Sequence, residues 1–96
     1  MPEYIFLMHD DAVDDAAVWE SYLTKLQKVG VFQGGSEIGK GIGARKSGSP
    51  PPISSHLTGF IRVAADSLED AQGLSAGNPV FEAGGTVEIR ELPRSD

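Results

Sequence analysis

Residues 60–93 constrain the fold more than any other stretch of the chain. Phe60-Ile-Arg-Val-Ala-Ala-Asp-Ser-Leu-Glu-Asp-Ala71 runs through Gly77-Asn-Pro-Val-Phe81 into Gly84-Gly-Thr-Val-Glu-Ile-Arg-Glu-Leu-Pro93. In His56-Leu-Thr-Gly-Phe-Ile-Arg-Val63 the positions alternate: Leu57, Gly59, Ile61 and Val63 make one apolar face, and His56, Thr58, Phe60 and Arg62 a mixed one. Ser67, with Asp70 three residues on, approximates a capping box and starts a short helix through Ala76, carried by Leu68, Ala71 and Leu74. Gly77 stands where a left-handed C-terminal cap is expected. Residues 86–92 alternate again: Val87 and Ile89 join the apolar face, while Thr86, Glu88 and Arg90 share the other, and Pro93 ends the strand. The segment reads as strand, helix, shaped loop, strand.

The rest of the chain supplies a matching half. Tyr4-Ile-Phe-Leu-Met-His9 is apolar enough for a central strand buried on both faces, and the acidic cluster Asp10, Asp11, Asp14 and Asp15 ends it. Over residues 15–29, Val18, Trp19, Tyr22, Leu23, Leu26 and Val29 recur at helical spacing, behind carboxylates suited to a helix start; Gly30 stops the run. Val31-Phe-Gln-Gly-Gly-Ser-Glu-Ile38 reads as a strand interrupted at Gly34-Gly35, by a bulge or by close approach of a ligand or another backbone. Seven of the twelve glycines then fall between Gly30 and Gly48, and Ser49-Pro-Pro-Pro52 follows. Residues 39–55 are therefore expected to form a flexible excursion, with residues 42–46 a possible extension of the strand. The order βαββαβ predicts one α+β, ferredoxin-like domain over residues 1–96, with two helices on one face of an antiparallel sheet. Thr58, Phe60, Arg62, Thr86, Glu88 and Arg90 fall on the uncovered face, a mixed surface that suits closure against a second copy into a dimeric α/β barrel.

Composition narrows the function classes. Ninety-six residues bury a limited core, which makes self-association a natural source of further burial. The absence of cysteine removes disulfides, thiolate nucleophiles and zinc-thiolate sites, and is compatible with a reducing cytoplasm. Neither an export signal nor a membrane span is legible, so a cytoplasmic location is expected. A net charge of −6 opposes nucleic acid as a partner, although Lys25, Lys28, Lys40, Arg45 and Lys46 cluster. Gly39-Lys-Gly-Ile-Gly-Ala44 approaches a dinucleotide fingerprint, but the prolines that follow leave no helix to open there. The run from Asp10 to Asp15 lacks the spacing and glycine of a calcium loop. No metal and no cofactor are predicted.

Tyr4-Ile-Phe-Leu-Met8, Ala65-Asp-Ser-Leu-Glu-Asp-Ala71, Gly77-Asn-Pro79 and Gly84-Gly-Thr-Val-Glu-Ile-Arg90 together resemble the YCII-related, or DGPF-domain, proteins. That resemblance implies a bacterial homodimeric α/β barrel with a small pocket in each subunit between sheet and helices. It also implies, for some relatives, a proposed histidine–aspartate pair with the histidine on the first helix, and for one a similarity to a dehydrochlorinase acting on an aromatic ring. Here Tyr22 stands where the helix histidine is expected, and residues 46–55 replace the Asp-Gly-Pro-Phe signature.

Two functional hypotheses follow, with a third in reserve. The first is a dimer that binds a small, partly apolar or anionic molecule, with Tyr22, His56, Phe60, Arg62, Asn78 and Arg90 as ligand-binding candidates. The second is an enzyme that moves a proton on a small aromatic substrate, with His9 as base and Asp10 orienting it, once a turn brings the two together. The third is an accessory or dimerisation domain. Each candidate has a plainer reading: His9 a strand-end histidine, His56 an exposed loop residue, Tyr22 a core residue with a polar tip. Arg62 and Arg90 are equally readable as partners of Glu88 across strands, and Asn78 as part of a loop that only packs.

Overall fold

A computed structural model describes residues 1–94. The chain order is β1 (Glu3–His9), α1 (Ala16–Lys28), β2 (Phe32–Glu37), β3 (Leu57–Ala64), α2 (Leu68–Gly73), α3 (Pro79–Glu82) and β4 (Val87–Leu92). All three strand pairings are antiparallel, in the order β2-β3-β1-β4. This is the ferredoxin-like α+β arrangement expected from the sequence, with one addition. The loop after the second helix contains the extra turn α3, begun by Asn78, whose Oδ1 accepts from the amides of Val80 and Phe81. Pro79 at the first helical position suits that start, since its missing N–H would have had no partner there.

The core lies between the helices and one face of the sheet. Tyr4, Phe6 and Met8 of β1, with Ile61 and Val63 of β3, are buried against Tyr22, Leu26, Ala71 and Val80. Ile5 and Leu7 point to the other face and are only half-buried. The apolar run of β1 is thus buried on one face, not on both, because no element among the described residues covers the far side. On α1 the packed stripe is narrower than the periodicity predicts: Tyr22 and Leu26 are buried, Trp19 and Leu23 pack beside them, and Val18 and Val29 are exposed.

Local chemistry starts the helices where the sequence indicates, but α2 ends at Gly73, short of the expected Ala76, and residues 74–77 continue as a turn. Asp15 caps α1 by accepting from the Ala17 amide, and Ser67 caps α2 by accepting from the Asp70 amide. Gly77 adopts a positive φ of 89°, as a left-handed turn requires. β2 carries the irregularity expected at Gly34-Gly35: its pairing with β3 shifts register between Phe32 and Gly34, and Gly34 has φ 120°. Residues 38–56 contain no strand or helix, so residues 42–46 do not extend β2. With glycines and prolines throughout, that segment offers few side chains to pack and no unbroken row of donors to pair.

Candidate functional site

Two regions concentrate the chemistry, and the sheet separates them. The first is a pocket of about 510 Å³ between α1 and the β2–β3 half of the sheet. Trp19 and Leu23 of α1, Phe32 of β2, and Met8 and Ile61 form its apolar wall; Ser36, Glu37, Thr58 and Asp14 bring polar groups. The Trp19 indole donates to the Asp14 carboxylate, which pins the ring at the pocket side of α1. Of the candidates named from sequence, Phe60 alone borders this pocket. A hollow of about 490 Å³ beside the ends of β1 and β4 is lined by Tyr4 and terminal residues and contains none of the candidates.

The second region lies on the uncovered face, where β1 ends. His9 Nε2 and Glu88 Oε1 are 3.0 Å apart, and the His9 and His56 rings meet edge to face with centroids 4.7 Å apart. The backbone holds all three: the His9 amide donates to the Thr86 carbonyl, the Asp10 amide donates to the His56 carbonyl, and Glu88 pairs opposite Leu7 in the β1–β4 ladder. Arg90 Nη1 donates to the other oxygen of Glu88 at 3.3 Å. The bonds from His9 and Arg90 hold the Glu88 carboxyl below its ordinary value. Next to this cluster Asp11 accepts from both the amide and the hydroxyl of Thr86, bonds that lower its pKa as well.

The candidates therefore sort differently from the sequence expectation. The carboxylate on the His9 ring belongs to Glu88, and Asp10 is exposed, because consecutive strand residues diverge while the neighbouring strand β4 brings Glu88 alongside. Arg62 does not meet Glu88, since β1 lies between β3 and β4; it bonds Glu3 at 3.0 Å and the Gln33 carbonyl at 2.7 Å. Arg90 reaches Glu88 along its own strand. Tyr22 is a core residue whose hydroxyl donates to the Leu74 carbonyl at 2.7 Å, and burial pushes its phenol up to about 12. Asn78 is buried as the cap of α3; its amide nitrogen lies near that phenol without a hydrogen bond of good geometry.

Several lining residues escape sequence reading. Trp19 and Leu23 read as helix core and Phe32 as strand, and nothing in their spacing distinguishes the wall of a pocket from a filled interior. Glu88 was legible as a member of the uncovered face, but its position beside His9 depends on the β1–β4 register.

The lowered carboxyls give a pH dependence with a definite sign. A group whose folded pKa is depressed adds stability above its unfolded value and loses it as pH falls through the folded value. Asp11 and Glu88, with ordinary values of 3.8 and 4.5, should make unfolding easier as the pH drops below about 4.5. Asp11→Asn should flatten that decline in a urea midpoint series from pH 6 to pH 2.5. An unchanged acid profile in the variant would show that the Thr86 bonds do not matter to stability.

No helix among the described residues is long and apolar enough to cross a membrane. No family model and no curated protein matches the chain. Three chains of solved structures do match. One is 5-chloro-2-hydroxyhydroquinone dehydrochlorinase (TftG) from Burkholderia phenoliruptrix AC1100 in complex with 2,5-dihydroxybenzoquinone, 15% identical, with a TM-score of 0.55 over 99% of this chain and 96% of that one. At that identity the likeness establishes a shared fold over essentially the whole chain.

Proposed function

We propose that the chain is a YCII-like homodimer in which each subunit binds a small, partly apolar, hydroxylated molecule in the pocket beside α1. The pocket itself carries this reading. Its volume of about 510 Å³, apolar wall and few polar groups match the usual make-up of small-ligand sites. Asp14 and Glu37 on its lining favour a ligand that donates hydrogen bonds over an anion, and phenols and hydroquinones combine such donors with a ring for the apolar wall. The solved dehydrochlorinase holds a dihydroxylated ring compound, in line with that class. For the dimer, Ile5, Leu7 and Phe60 form a half-buried apolar strip on the uncovered face, Leu7 directly opposite Phe60. The Glu3–Arg62 and Glu88–Arg90 pairs flank it, and two such faces packed together would bury the strip.

Trp19 is the only tryptophan, so its fluorescence reports pocket occupancy directly. Hydroquinone should quench it saturably, and Phe32→Ala should weaken binding by about tenfold through loss of an aromatic wall. Quenching that never saturates, or that is the same in Phe32→Ala, would remove the pocket from consideration. Light scattering on the same samples should give twice the 10.2 kDa chain mass; a monomer at tens of micromolar would defeat the dimer half of the reading.

The 3.0 Å contact of His9 with Glu88 favours a second reading, in which His9 accepts a proton from substrate and Glu88, in place of Asp10, orients the ring. His9 lies across the sheet from the pocket, so His9→Ala should leave phenol binding intact while abolishing any proton-transfer activity.

A further inference from the structure

We propose that His9, His56 and Glu88 form a binding site for one divalent transition-metal ion, zinc being the ion their donors fit best. No metal centre was expected from the sequence, because the three residues come from three separated places: the end of β1, the residue before β3, and β4. The fold brings one donor atom of each within 4.8 Å of the others. Two imidazoles and one carboxylate are a set that zinc accepts with a fourth position left for water, and imidazole also suits copper, nickel and ferrous iron.

The geometry requires little adjustment. Tetrahedral zinc with bonds near 2.0–2.1 Å holds its donors roughly 3.3 Å apart. His9 and Glu88 already sit at 3.0 Å, so the remaining movement falls on His56. That side chain is exposed and follows an irregular segment, so it can rotate inward without disturbing the core. The backbones of His9 and Glu88 are held by the ladder on either side of β1, and that of His56 by the Asp10 amide, which supplies the rigidity a three-ligand site needs. Arg90 bonds the Glu88 oxygen that does not face His9, and so orients the carboxylate from behind, as outer partners of metal ligands do. Its positive charge opposes a cation, while Asp11 nearby has the opposite effect. All three ligands belong to one chain, so the ligand set is complete without a residue from a second copy.

Calorimetric titration of untagged, chelator-stripped protein with zinc chloride tests this. One ion per chain should bind with micromolar or tighter affinity, and His56→Ala and Glu88→Gln should each weaken it by at least about tenfold. The chain has only two histidines, so proton NMR adds an independent readout: the ring resonances of both should shift on zinc addition. Circular dichroism confirms that the variants are folded, and His56, being exposed, is the safer of the two. Absence of binding would overturn the proposal. So would affinity unchanged in His56→Ala, or affinity lost instead in Asp14→Asn with Asp15→Asn, which would place the ion on the acidic run before α1.

Discussion

Phe6→Ala should destabilise the protein by about 3–5 kcal/mol, the largest effect expected of any single side-chain truncation here. Phe6 is fully buried at the middle of β1, opposite Ile61 of β3 and Ile89 of β4, so its ring sits where the two central pairings and the helix layer meet. Removing it leaves a cavity between the core side chains of the helix layer and a sheet floor held by ladder hydrogen bonds on both sides of β1, so the site can collapse only in part. A chain of 96 residues has a total stability of roughly 5–14 kcal/mol. The loss is thus about a fifth of the total or more. In urea the midpoint should fall by about 2 M for a slope near 2 kcal/mol/M. Val18→Ala supplies the contrast: Val18 is 42% exposed on α1, and its truncation should change stability by less than about 0.5 kcal/mol. A shift below about 1 kcal/mol for Phe6→Ala would mean that the packing centre lies elsewhere.

That contrast also marks what the sequence could and could not convey. Helical spacing places Val18, and the apolar run of β1 places Phe6, among apolar residues of regular elements, yet only Phe6 faces the layer between helices and sheet. Strand alternation carries more information, because a period of two assigns every residue to one of two faces once one residue is placed. Hence Ile61, Val63, Val87 and Ile89 read correctly as the covered side, and Phe60, Arg62, Glu88 and Arg90 as the other. β1 misled because its outward residues, Ile5 and Leu7, are as apolar as its inward ones. The same two residues, read with Phe60, are what makes the uncovered face a candidate interface. The extra turn α3 escaped because its four residues are too few for a periodic signal, although Asn78-Pro79 carried its start chemistry.

The candidate sites were less legible than the fold for a related reason. Identifying His9 needed only its residue type at a strand end, but identifying its partner needed the register between β1 and β4, which no local pattern encodes. Asp10, adjacent in sequence, points elsewhere; Glu88, 79 positions away, makes the bond. Tyr22 and Asn78 were attractive as ligand contacts because both pair an apolar position with a polar group. In the fold those polar groups serve the interior, the phenol on the Leu74 carbonyl and the amide oxygen on the start of α3. The pocket wall of Trp19, Leu23 and Phe32 was invisible, since a cleft between a helix and the sheet changes no residue's periodicity.

Gly35→Ala should loosen β2 from the sheet and abolish phenol binding, although it adds one methyl group. A Cβ at residue 35 would stand 2.5 Å from the Phe60 carbonyl oxygen, 2.8 Å from Ile61 Cγ2 and 3.0 Å from Ile61 Cα. Two of those atoms are backbone of a strand paired on both sides, so β3 cannot yield and β2, paired on one side only, must move. Overpacking of this kind costs about 1–3 kcal/mol, limited here because an edge strand can separate without unfolding the centre. Hydrogen exchange should therefore show lost protection for amides of β2 while those of β1 keep theirs. Gly35, Ser36 and Glu37 line the pocket, so the same displacement opens its wall, and saturable quenching of Trp19 should disappear. Gly39→Ala is the matched control: no atom lies within 4 Å of its Cβ position and its φ is not positive, so stability should hold or rise by about 0.4–1 kcal/mol as the unfolded chain loses freedom. If Gly35→Ala behaves like Gly39→Ala, the close approach of β2 to β3 is not a constraint on the fold, and the interruption at Gly34-Gly35 has another cause.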